Sequence, residues 1–202
     1  MFKSYLILLF CFKIIFLTSF HVNGADLNNR FAASGAGVAS CSRFVEARTA
    51  KSEEYFLFGG WVDGYFSARN QFEKETYTLL PWQSIDVLSG FLTDYCNKNP
   101  QHAFQRAVMV MAQALIPDRL IKSSKRIAVA VGPYKSDFFV EVLIRLQKKL
   151  TTLGFFHGTQ NGQYDEDTAL ALRQFQKRNA IAVTGFPDQL TLYRLFLHDE
   201  KN

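Results

Sequence analysis

Cysteine is scarce in this chain: three among 202 residues, at positions 11, 41 and 96, with no CxxC spacing. The four histidines, at 21, 102, 157 and 198, stand far apart, and no HExxH run occurs. A zinc hydrolase therefore has no recognisable ligand set, and no metal or other cofactor is expected. No histidine adjoins Cys41 or Cys96, which leaves a cysteine nucleophile without its base. Positive charge is also modest, 23 Lys and Arg against 18 Asp and Glu, for a net +5. Phosphate binding needs a concentrated basic face, so a dedicated nucleic-acid binder is excluded. Long apolar runs are missing too. Tyr5 to Phe12 is broken by Lys13, and Ile14 to Leu17 by Thr18, short of the roughly 20 residues that span a bilayer. What the chain does have is apolar material, 48 % of residues against 20 % charged, enough to bury a core.

The first 24 residues differ in kind from the rest. A lysine precedes a short apolar run, and His21-Val22-Asn23-Gly24-Ala25 offers a small residue for cleavage after Gly24. This pattern reads as a secretory signal peptide over 1–24, with residues 25–40 as the start of the mature chain. The alternative is an uncleaved amphipathic anchor, the one route to a membrane that the sequence leaves open. Removal of Lys3 and Lys13 with the leader leaves 21 basic and 18 acidic residues, an excess of +3. Cys11 leaves with them. The remaining even pair, Cys41 and Cys96, reads as one disulfide in an exported protein.

Residues 41–116 read as a helical domain. Phe58, Trp61, Val62, Tyr65 and Phe66 fall at spacings of one buried helical face, as do Leu88, Phe91, Leu92, Tyr95 and Cys96. Phe104, Ala107, Val108, Met111 and Leu115 make a third stripe, and Asn99-Pro100 before it reads as a helix start. Gly59, Gly60 and Gly64 surround Trp61 and weaken a helix by about 1 kcal/mol each. Close helix packing is the preferred reading of those glycines, and a ligand groove is the other. The set Cys41-Ser42-Arg43-Phe44, Gly60-Trp61-Val62-Asp63-Gly64-Tyr65, Tyr95-Cys96 and Asn99-Pro100 resembles small disulfide-stapled helical periplasmic domains. That group includes acid-stress chaperones of the HdeA type and immunity proteins against cell-wall amidases.

Residues 117–138 read as a basic linker. Arg119, Lys122, Lys125, Arg126 and Lys135 oppose only Asp118 and Asp137, and Ile127 to Val131 is expected as a short extended piece. Beyond it an internal repeat appears. Gly162, Asp165 and Thr168 recur as Gly185, Asp188 and Thr191 at the same spacing, each ahead of an apolar helix. Glycine permits the turn, Asp caps the helix, and Thr takes the third helical position. With a helix lined by Leu143, Leu146, Leu150 and Leu153, this predicts a three-helix unit over 139–202.

The run Leu146-Gln147, Leu150, Leu153-Gly154-Phe155-Phe156, Gly158, Asn161-Gly162, Tyr164, Thr168, Ala171-Leu172-Arg173, Phe175-Gln176, Ile181, Val183-Thr184-Gly185, Asp188, Thr191-Leu192 resembles the peptidoglycan-binding domain appended to many cell-wall enzymes. It departs from the family pattern at Asn161, Asp165, Glu166 and Ala180. The resemblance implies an all-α protein, a disulfide-stapled helical domain followed by a small three-helix bundle, with peptidoglycan as partner.

Sugar and peptide recognition uses aromatic faces beside amide or guanidinium donors. Phe156, Gln160, Asn161, Tyr164 and Arg173 are the candidate binding residues, with Phe155 read as core and Phe156 as surface. No catalytic residue is assigned. The expected function is an exported, periplasmic or secreted, non-catalytic wall-binding protein whose first domain engages a protein partner. The alternative is a small wall-modifying hydrolase or its regulator, anchored to its substrate by the C-terminal domain. A third reading keeps the bundle as a packing module that has lost sugar binding.

Overall fold

A computed structural model describes residues 26–28 and 30–197. The leader read over 1–24 lies outside the described residues, as does His198. The chain divides between Ala32 and Ala33. Before the division, the Asp26 carboxylate accepts from the backbone N–H groups of Asn28 and Arg30, at 2.9 and 2.8 Å. All described helices and strands follow it. Among the described residues no helix is long and apolar enough to cross a membrane.

The N-terminal half is built from α1 (Cys41–Ala50), α2 (Glu53–Phe72), α3 (Ile85–Lys98) and α4 (Phe104–Leu115). Ser40 and Ser84 cap α1 and α3 through their side chains, satisfying N–H groups that have no partner within the helix. The stripes turn inward: Phe58, Val62 and Phe66 of α2, Leu88 and Leu92 of α3, and Phe104, Val108 and Ala112 of α4 are buried together. Phe44 of α1 sits among them, 5.4 Å from the Phe58 ring and 4.7 Å from that of Phe104. Cys41 and Cys96 are bonded, Cα atoms 4.8 Å apart, tying the start of α1 to the end of α3.

Two local expectations are corrected. Asn99-Pro100 does not start α4. Asn99 closes α3, its side chain donating to the Tyr95 carbonyl at 2.9 Å, and α4 begins at Phe104. The pull comes from backbone pairing across the lobe. The Cys41 N–H donates to the His102 carbonyl and the Phe104 N–H to that of Ala39, both at 2.8 Å, so the turn over 99–102 is held beside the entry to α1. Nor do the glycines of α2 serve close packing. A Cβ at Gly60 or Gly64 would meet nothing within 4 Å, and at Gly59 only Ile85, at 3.9 Å. The close approach to Trp61 is at Gly37, where a Cβ would fall 2.3 Å from the indole ring. The indole N–H donates to the Ser34 carbonyl at 2.9 Å.

The second half adds strands β1 (Arg126–Val131) and β2 (Tyr134–Phe139), then α5 (Val140–Thr152), α6 (Glu166–Arg178) and α7 (Gln189–Leu197). The fold is all-α with this one small antiparallel pair among the described residues. The stretch read as a linker is thus largely a hairpin, closed by Gly132-Pro133 between Val131 and Tyr134, with Gly132 at φ +56°. Val129 and Phe138 are buried in the core of the three helices, and Tyr134 and Phe138 lie within 6 Å of the Phe186 ring. Pairing of the whole segment was hidden from sequence because only one residue per strand is buried.

The two halves meet through Trp82, which belongs by chain position to the first but is buried in the core of the second. Gln189 of α7 holds it there: its amide donates to the Trp82 carbonyl at 2.7 Å and accepts from the Ser84 N–H at 2.8 Å. Asp118 accepts from the Trp82 indole at 3.1 Å and pairs with Arg145 of α5 at 3.2 Å. Phe91 and Tyr193 complete the junction, ring centres 5.8 Å apart.

Reducing the Cys41–Cys96 bond frees a loop of 55 residues in the unfolded chain, so chemical denaturation under reducing conditions should show a loss of up to about 4 kcal/mol. Stability unchanged by reduction would contradict the staple. Gly37→Ala should lower the melting temperature, because the added methyl collides with an indole pinned by its hydrogen bond. Gly64→Ala should instead stabilise by about 0.5 to 1 kcal/mol, since it adds helix propensity in open space. The opposite order of melting temperatures would contradict the assigned packing of Trp61.

Candidate functional site

Two turns, each leading into a helix of the bundle, are built by the same device. Gln147 of α5 and Gln176 of α6 are fully buried, and a buried amide must find partners for every donor and acceptor it can. Gln147 accepts from the Gly162 N–H at 2.8 Å and donates to the Gln163 carbonyl at 2.8 Å and the Thr168 hydroxyl at 3.1 Å. Gln176 accepts from the N–H groups of Thr184 and Gly185, at 3.0 and 2.8 Å. It donates to the Phe186 carbonyl and the Thr191 hydroxyl, both at 3.0 Å. Each turn is thereby fastened to the helix behind it.

The glycines fit because the turns pass into left-handed backbone, with φ of +75° at Gly162 and +70° at Gly185. Side chains have no room there: a Cβ at Gly162 would lie 2.6 Å from Val140, and one at Gly185 2.8 Å from Arg173. The caps form as the spacing requires. The Asp165 carboxylate accepts from the Thr168 N–H at 2.9 Å and its hydroxyl at 2.7 Å, and Asp188 accepts from the Thr191 N–H at 2.8 Å. Hydrogen bonds from Thr168 hold the Asp165 carboxyl below the usual carboxylate range.

Of the five candidate binding residues, four line this region and one does not face outward. Phe156 is 2 % exposed and belongs to the core. Phe155 is the half-buried ring, edge-on to Phe175 at 6.0 Å, with the Arg178 guanidinium 5.9 Å from its centre. The surface reading of Phe156 is therefore corrected, while Phe155 packs part-buried against the core as expected. After the Leu153 helix end the chain turns through Gly154, at φ +79°, and a Cβ at Gly158 would touch the Phe156 ring at 2.7 Å. That turn swings the second ring fully inward.

Tyr164 bridges the two turns, its hydroxyl donating to the Gly185 carbonyl at 2.6 Å. Burial pushes its phenol well above the ordinary value, so it stays a neutral donor. Arg173 lies against Gly185 and pairs with Glu166 at 2.8 Å. Asn161 and Gln160 are exposed on the same loop. Asn161 shapes the loop by accepting from the Gln163 N–H at 2.9 Å, and Gln160 donates to the Thr151 hydroxyl at 3.1 Å. Tyr164, Arg173 and the backbone of 184–186 are brought together, while Gln160 sits at the far end of the first turn.

Gln147 and Gln176 are the residues that the candidate set omits. Their signal is present in the sequence: Gln147 is in phase with Leu143, Leu146 and Leu150, and Gln176 with Leu172 and Phe175, so both amides are aimed into the core. Among the described residues no group of three or more His, Cys, Asp or Glu is placed to hold a metal ion. The surface offers an aromatic edge, amides, a guanidinium and turn backbone, which is equipment for holding a polar polymer by hydrogen bonds and ring contact.

No curated protein and no solved structure matches the chain. A family match covers the three helices α5 to α7 and does not include the strand pair or the helical lobe. Residues 141–195 match the family described as "Putative peptidoglycan binding domain", so this segment is a peptidoglycan-binding domain of the three-helix kind that the repeated turns resemble.

Proposed function

We propose that this is an exported, non-catalytic protein of the cell wall. The segment 139–202 holds peptidoglycan through the surface around Tyr164, Arg173 and the 184–186 turn, and the helical lobe 41–116 engages a protein partner outside the cytoplasm. The carrying observation is the family match over the clamped turns. The disulfide supports an oxidising compartment, periplasmic or extracellular. The accessible groups around the turns are donors and acceptors suited to holding sugars and peptides, and no nucleophile with an adjacent base stands among them.

The test uses the whole mature chain, because Trp82, Val129 and Phe138 complete the core of the second half. It should co-sediment with purified sacculi and release no new muropeptides detectable by mass spectrometry. The variant Arg173→Ala should bind about tenfold more weakly at unchanged helix content, as expected for lost hydrogen bonds to a ligand. New muropeptide products would favour the wall-modifying enzyme instead. Unaltered sedimentation of that variant would remove the turn surface as the site.

A further inference from the structure

The β1–β2 hairpin lies outside the matched segment 141–195 and is an addition to the three helices. Side chains alternate across a strand, and residues paired in register share a face. Ile127, Val129 and Val131 therefore stand on one face with their partners Phe138, Ser136 and Tyr134. This face is turned to the bundle: Val129 and Phe138 are buried in its core, and Ile127 and Val131 pack against it. Tyr134 breaks the pattern, since it holds a bundle-facing position and is still 46 % exposed.

The ring is fixed from beneath. Tyr134 stacks on Phe186 with ring centres 5.7 Å apart and planes 23° apart, and Phe138 meets the same ring edge-on at 5.8 Å. Phe186 is buried, and its carbonyl accepts from the Gln176 amide, so Tyr134 rests on a residue that the clamped turn holds in place. Phe186 takes one face of the tyrosine ring and leaves the other to solvent. The Tyr134 hydroxyl makes no hydrogen bond among the described residues, whereas those of Tyr55 and Tyr164 donate to the Ser89 hydroxyl and the Gly185 carbonyl. One residue back along the turn, Gly185 is contacted by Arg173 and by the Tyr164 hydroxyl. Neighbouring Cα atoms are about 3.8 Å apart, so an open aromatic face and a guanidinium flank the same short stretch of backbone. A pyranose matches that pairing. It presents a face of C–H groups to an aromatic ring and a rim of hydroxyl and amide groups to hydrogen-bonding partners, and a stem peptide has no such flat face.

We propose that the hairpin adds a sugar-stacking subsite to the bundle: the open face of the Tyr134 ring takes the C–H face of a pyranose of the glycan strand, while Arg173 and the 184–186 turn hold its polar rim. The inference rests on the peptidoglycan reading above and names the glycan as the part of the polymer that is read. Burial of Val129 and Phe138 gives the hairpin a second role, because it holds the tyrosine at a set position before any ligand arrives.

The experiment titrates the whole mature protein calorimetrically with two probes, glycan strands freed of their stem peptides and the free stem tetrapeptide. Tyr134→Leu keeps an apolar cover over Phe186 and removes the flat ring, and Tyr134→Phe keeps the ring and removes the hydroxyl. Wild type should bind the strands, Tyr134→Leu should weaken that binding about tenfold or more, and Tyr134→Phe should stay within about threefold of wild type. Proton NMR of the bound strands supplies a readout that a purely structural tyrosine would not move. Sugar C–H protons lying over an aromatic face are shielded, so they should shift upfield with wild type and Tyr134→Phe and not with Tyr134→Leu at saturation. The wild-type shift does not depend on how the variants fold, and its absence would overturn the subsite. So would Tyr134→Leu binding the strands as tightly as wild type. Sacculus co-sedimentation is measured alongside. If wild type sediments and binds the tetrapeptide but not the strands, the sugar subsite fails and the wall-binding reading stands. If wild type does not sediment, both fall.

Discussion

Two buried side-chain amides carry the second half of this protein. Gln147 and Gln176 each sit at full burial with their polar atoms turned toward the backbone of a glycine turn. An unsatisfied buried amide or peptide group costs about 1 to 3 kcal/mol, so turn and helix are each stable only with the other in place. The consequences are local and orderly. Left-handed glycines follow from the tight pass over Val140 and Arg173, Asp caps follow at a fixed distance, and the next helix begins where its threonine reaches the same glutamine. A surface made this way is presented by rigid elements, as a binding site for a repetitive polymer requires.

A similar logic joins the halves. Gln189 bonds to backbone on both sides of Gln83, and Asp118 ties Trp82 to Arg145. The helical lobe is therefore no tethered cargo, and it shares a wall of its surface with the bundle. The disulfide stabilises the lobe from within by joining α1 to α3, while the junction fixes where α3 stands against α7.

Much of this was legible in residue order. Three helical stripes in the first half and the Gly-Asp-Thr repeat in the second each predict an element that forms, because burial of one face imposes a period that sequence records directly. What escaped lacks a period. Trp82 has no stripe of its own, and its partner Gln189 lies 107 residues on. The hairpin buries little, so its alternation is faint. Phe156 turns into the core instead of facing outward because a left-handed Gly154 redirects the chain, a geometric event that adjacency to a helix end does not encode. Asn99-Pro100 carries the chemistry of a helix start, yet backbone pairing with the entry to α1 outweighs it.

The two glycine turns are clamped from behind by the buried glutamines rather than held by contacts on their outer face. Native-state hydrogen exchange reads this at the N–H groups of Gly162, Thr184 and Gly185, which sit in loops yet donate to the buried glutamines. The account predicts that these three exchange as slowly as the interior amides of α5 and α6, with the free energy of global unfolding. Exchange at the rate of open surface loops, while α5 and α6 remain protected, would contradict it.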